Sequence, residues 1–265
     1  MYVIMSLNIS EKKSIAVVYR GIYHNKYSKS LDFNQNILNN HIQNIFQYYD
    51  CEIYIYTTSF SVSKDMELIN VFQNNNLKVI DFKFQESIPD GDKNYVKSKD
   101  VSGGIQYSLE MIKKKYNTVI SLRFDLLFLK PINTFDIKYD KFYIGHKCEE
   151  KYWLKHKFVS DFFFIIPYRY LTNFINVLKI QNASKKGNLK CRYHSSHGIY
   201  KNLISEIGDN AIKFLVDGMI PSNTDKGYNG FIKILRKNCD LCEKYESHRY
   251  CKKNGEFILP ERKRI

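Results

Sequence analysis

The feature that most constrains the fold is an alternation of short β-rich runs with segments of helical period across the first half of the chain. "SIAVVYRG" (14–21), "CEIYIYTT" (51–58), "LKVIDFKF" (77–84) and "NTVISLRFD" (117–125) are runs of strand length rich in β-branched and aromatic residues. Between the first two, Ile37, Leu38, Ile42, Ile45 and Phe46 recur at the helical period within 31–49. A second helix is expected over 63–74. A third, from Ser102 to about Tyr116, carries Ile105, Leu109 and Ile112 on one face. Strands separated by helices of this length predict an α/β fold, with a mostly parallel central sheet and helices on both faces.

The second half is less regular. "KFYIGH" (141–146), "VSDFFFIIP" (159–167) and "AIKFLVD" (211–217) read as strands, and 168–180 and 198–207 as helices. The polar stretch "QESIPDGDKNYVKSKD" (85–100) is too long for a tight turn. From Gly218 onward the sequence reads as loops and basic residues, with no Pro- or Ser-rich linker before it. The expected organisation is one domain over 1–217, with a basic, Cys-containing extension over 218–265 packed on it.

A chain of 265 residues buries about 70–75% of its unfolded surface and needs no disulfide or metal to fold. No apolar run approaches the ~20 residues of a membrane span. The opening "MYVIMSLNISEKKS" lacks a basic region and a small-residue cleavage site, so a cytoplasmic protein with reduced thiols is expected. The net charge of +14 admits nucleic acid, an anionic membrane surface or a phosphorylated small molecule as partners. Lys113–Lys115 is expected near a helix end, where cations suit the dipole.

Polar residues inside apolar strands point to chemistry. Asp125 falls where the fourth strand should end, and parallel sheets bind ligands at the carboxyl ends of their strands. A carboxylate there suits Mg²⁺ or Mn²⁺ shared with phosphate oxygens. Arg123, two residues earlier, shares its face of an extended segment, to pair with Asp125 or to reach a phosphate. An ion pair without ligand is the alternative. Ser102 or Asp100 can cap the third helix, and Gly103 and Gly104 leave its first N–H groups accessible beside Lys97 and Lys99, a pattern suited to an anion. Cys239, Cys242, His248 and Cys251 carry three readings: a zinc site, a redox or disulfide pair, or plain thiols.

"NTVISLRFDLLFLKPI" resembles the segment that carries the DxD-type motif of GT-A glycosyltransferases. More narrowly, it resembles capsule-type and large-DNA-virus glycosyltransferase-like proteins in which Arg-x-Asp replaces Asp-x-Asp. "IAVVYRG", "DCEIYIYTT" and "VSDFFFIIPYRYL" match further segments of that group in order. The resemblance covers most of 14–207 and departs from DxD at Arg123. It implies a GT-A-like, Rossmann-like sheet and sugar transfer from a nucleoside-diphosphate sugar, a UDP-sugar favoured, to a glycan or glycoconjugate. By the resemblance, Asp125 and His197 hold Mn²⁺ or Mg²⁺. Arg20, Gly21 and Arg123 lie beside the nucleotide, Lys99, Ser102 and Gly103 meet its phosphates, and Asp161 is the base for the acceptor hydroxyl.

Two other readings stay open. A nucleic-acid-binding protein fits the charge and the 21 tyrosines and 18 phenylalanines, although the positive charge forms no stripe and no recognition motif is present. A GT-A-like protein that binds nucleotide without turnover fits the Arg-x-Asp departure.

Overall fold

The structure is a computed structural model that describes residues 13–21, 23, 33–85, 104–147, 150–184, 198–216, 232–234, 252–253 and 256–257. At its centre is a seven-stranded sheet built from β1 (Ser14–Gly21), β2 (Asp50–Thr58), β3 (Lys78–Gln85), β4 (Thr118–Arg123), β6 (Phe142–Ile144), β7 (Phe163–Pro167) and β8 (Ile212–Phe214), in the order β3-β2-β1-β4-β7-β6-β8. β7 alone runs against its neighbours; the other pairings are parallel. The chain winds leftward from β1 through β2 to β3, then returns to place β4 on the other side of β1. The strand order therefore reverses between β1 and β4, and the carboxyl edge at such a reversal is where open α/β sheets bind ligands.

Alternation along the strands feeds two cores. Ile15, Val17 and Tyr19 face one, with α1 (Gln35–Asn44) and α2 (Val62–Gln73) over them. Ala16 and Val18 face the other, covered by α3 (104–110), α4 (Glu150–His156), α5 (Leu171–Ser184) and α6 (Ile199–Ile207). The mostly parallel α/β sheet with helices on both faces is thus present. Sequence patterns also explain where helices begin. Asn34 caps α1 by accepting from the N–H groups of Asn36 and Ile37 at 3.0 and 3.3 Å, and Ser61 caps α2 from Lys64 N–H at 3.3 Å, each worth about 1 kcal/mol.

Several elements differ from the reading of the sequence. The third helix ends at 110 rather than near 116, so Lys113–Lys115 lie in the link to β4, where Lys114 pairs with Glu52 instead of meeting a helix dipole. The expected fourth strand ends at Arg123; Phe124 and Asp125 form a turn into β5 (Leu126–Phe128). Phe124 is buried against Tyr19 and Phe33, with ring centroids 5.1 and 5.2 Å away, and this anchors the turn. β9 (Ile232–Ile234) pairs antiparallel with β5, within a region read as loops.

Candidate functional site

Three segments meet at the carboxyl edge where the strand order reverses. The first is the end of β1. Arg20 is 2% exposed; its Nε donates to Ser121 Oγ at 3.0 Å and its Nη2 to the backbone carbonyl of Asp161. One guanidinium thus ties β1 to β4 and to the segment before β7, and it stacks over Phe164 at 5.7 Å. A contact with ligand was expected of Arg20. Its guanidinium is buried and engages Ser121 and the Asp161 backbone, bracing the segment before β7. Gly21 follows with φ +94°, a conformation that side chains resist, and its carbonyl accepts from Thr57 Oγ1 at 2.6 Å.

The end of β4 is the second segment. Arg20 and Arg123 are register partners across the β1–β4 ladder, so their side chains leave the same face of the sheet. Arg123 turns onto Asp125: Nε donates to Oδ1 at 2.8 Å and Nη2 donates to Oδ2, a two-point fork. Its Nη1 lies 4.0 Å from Asp161 Oδ1. The two carboxylate side chains are 9% and 11% exposed, so both are largely out of water beside a permanent cation.

The third segment precedes β7. His146 N–H donates to Ser160 Oγ at 3.1 Å, and Ser160 N–H to His146 O at 3.0 Å, which fastens the residue next to Asp161 to the end of β6. Gly145 makes this approach possible, because a Cβ there would sit 3.0 Å from Ser160 Oγ and 3.4 Å from Phe162. His146 is buried with its ring 5.1 Å from that of Phe162. Neither His146 nor Ser160 was singled out from sequence. The available signal was the one that pointed to Asp125: a polar residue at the end of an apolar run, "FYIGH".

Of the residues expected to form the site, Arg20, Gly21, Arg123, Asp125 and Asp161 come together. Lys99, Ser102, Gly103 and His197 lie outside the described residues, as do Cys239, Cys242, His248 and Cys251. Gly104 is described, and an added side chain would meet nothing within 4 Å, so packing does not demand glycine there. The fit of the described residues to a divalent cation is poor. Among the described residues no three His, Cys, Asp or Glu side chains are grouped to hold a metal, and both oxygens of Asp125 already accept from Arg123.

No family model matches the chain, and neither does any curated protein. Solved structures do resemble it. The glycosyltransferase GlyE of Streptococcus pneumoniae TIGR4 aligns over 78% of this chain and 46% of its own, at 9% identity and a TM-score of 0.47. The bifunctional glycosyltransferase WbbM aligns over 78% and 39%, at 7% identity and 0.47. The galactosyltransferase LgtC, solved with donor and acceptor sugar analogs, aligns over 76% and 72%, at 10% identity and 0.47. The chain spans less than half the length of GlyE and of WbbM. At such identities and TM-scores no residue role or activity passes from them to this chain.

Proposed function

We propose that this protein is a glycosyltransferase that moves a sugar from a nucleoside-diphosphate sugar, a UDP-sugar favoured, to a hydroxyl of a glycan or glycoconjugate. One observation carries the reading: Arg20, Gly21, Arg123, Asp125 and Asp161 converge at the carboxyl edge, between the two strands where the sheet order reverses. The resemblance of "NTVISLRFDLLFLKPI" to the donor-binding strand of GT-A enzymes points to the same edge. In this reading Gly21 lets the backbone approach the nucleotide, and Arg123 faces the diphosphate. The bond from the sugar's anomeric carbon to phosphate breaks, and its electron pair leaves with the nucleoside diphosphate. The acceptor oxygen bonds to that carbon and gives its proton to Asp161, whose position is set by Arg20 and the Ser160–His146 clasp.

Thermal shift with UDP-, GDP-, dTDP- and CMP-sugars tests the reading, each with Mn²⁺ and with EDTA. A ligand at a hundred times its Kd should raise Tm by about 5–10 °C for one nucleotide class and not the others. Asp161→Asn should keep that shift and lower sugar transfer by roughly 10²- to 10⁴-fold. A shift without transfer by the wild type favours a nucleotide-binding protein that has lost turnover. A flat panel, with nucleic-acid affinity that falls steeply with salt, favours the basic surface as the working part.

A further inference from the structure

Arg123 engages the carboxylate oxygens that a divalent cation at this edge would use. Its Nε and Nη2 donate to the two oxygens of Asp125, and its Nη1 is 4.0 Å from Asp161 Oδ1, so a single guanidinium spans both carboxylates of the site. Its own side chain is 12% exposed. A metal ion would need those same oxygens at about 2.0–2.2 Å and would add a double positive charge beside a fixed one. Among the described residues, two arginines and two aspartates bring the cluster to formal neutrality. Arg20 cannot take the same part, because it lies deeper and is turned to Ser121 and the Asp161 backbone.

We propose that Arg123 is a built-in replacement for the divalent cation: its one positive charge engages Asp125 and Asp161 together, and nucleotide binding at this edge is independent of metal. The nature of the ligand rests on the proposed function; the exclusion of the cation rests on the geometry alone. This sets aside the expectation that Asp125 holds Mn²⁺ or Mg²⁺.

The test uses Mn²⁺ by itself, read as loss of its free electron paramagnetic resonance signal on titration with the full chain. Wild type and Asp125→Asn should deplete the signal equally, with no Asp125-dependent uptake. Arg123→Met frees the two carboxylates and should gain a site that binds Mn²⁺ roughly tenfold or more tightly than the wild type does, a gain lost in Arg123→Met/Asp125→Asn. Wild-type uptake abolished by Asp125→Asn overturns the proposal. So does an Arg123→Met chain that is folded by circular dichroism and gains no ion. If that variant does not fold, the comparison of wild type with Asp125→Asn still decides. A parallel thermal shift with UDP separates the two readings. Equal shifts in EDTA and Mn²⁺ support the replacement, and a shift that requires Mn²⁺ overturns it. No shift in either counts against the proposed function, while the Mn²⁺ titration continues to judge Arg123.

Discussion

His41 is held neutral by its surroundings. It is fully buried in α1, its Nε2 donates to the carbonyl of Leu126 at 2.8 Å, and the Tyr19 hydroxyl donates to its Nδ1 at 2.6 Å. Leu126 follows Asp125 directly, so this ring helps fix the turn that carries the site. Burial pushes its pKa down to about 4, against a smaller upward effect of the bond to Leu126. The ordinary value is 6.5, so between pH 6.5 and 4 the unfolded chain binds a proton that the native chain refuses. Stability should be unaffected by this group above about pH 6.5 and fall as pH drops toward 4, by up to about 3 kcal/mol. Urea unfolding across that range should show the loss in the wild type and a flatter profile in His41→Gln, which keeps a donor and an acceptor but no titratable ring. Equal slopes in the two would mean that His41 titrates normally.

The opposite edge of the sheet shows how elements far apart in sequence are locked. Glu52 at the start of β2 is 4% exposed, and it receives Lys78 from β3, Lys114 at 2.8 Å from the link before β4, and the hydroxyl of Tyr116. Tyr54 joins through Tyr116 at 2.8 Å. Burial would raise the Glu52 pKa, but the hydrogen bonds from Lys114, Lys78 and Tyr116 outweigh it and hold the carboxyl down at about 2. Its contribution is complete above about pH 4.5 and is lost as pH falls through 2. Glu52→Gln should cost on the order of 1–3 kcal/mol at neutral pH and weaken the acid dependence below pH 4.5. Lys78→Ala and Lys114→Ala should each cost less than Glu52→Gln, because those side chains are 63% and 59% exposed and well screened. Chemical denaturation of the three variants at pH 7 and pH 3 checks the ranking. Strands such as "SIAVVYRG" and "CEIYIYTT" were legible in the sequence because period and composition are local. The antiparallel direction of β7 was not, since a strand buried on both faces reads the same either way. β5 and β9, three residues each, fall below what periodicity can register. At the site, the strand-end positions of Arg20 and Arg123 could be read, while Asp125, expected at the strand end, lies in the turn just after it. The pairing of Arg123 with Asp125 was one of the alternatives the spacing left open; the burial of Arg20 and the Ser160–His146 clasp could not be read, because contacts between segments apart in sequence decide them.

Across the whole molecule, the described strand beyond 217 joins the core. Ile232 is fully buried in the same apolar cluster as Leu126, Phe128 and Tyr19, and β9 supplies the ladder partner of β5 through Leu126↔Ile234 and Phe128↔Ile232. β5 in turn begins one residue after Asp125, and Phe128 packs on Phe163 of β7 at 5.6 Å. Removing β9 therefore opens the layer that supports two of the three segments of the site. Ile232→Ala should lower stability by about 2–4 kcal/mol, the usual cost of emptying a buried isoleucine position. A chain ended at residue 217 should lose more, because β5 also forfeits its hydrogen-bond partner. Both should unfold in a single transition at lower temperature than the full chain, and the truncated chain should lose any thermal shift with nucleotide sugar. If 218–265 were instead an independent appendage, the truncated chain would melt where the full chain does and keep its ligand response. Calorimetry of the two chains side by side, with and without UDP-sugar, decides between these outcomes.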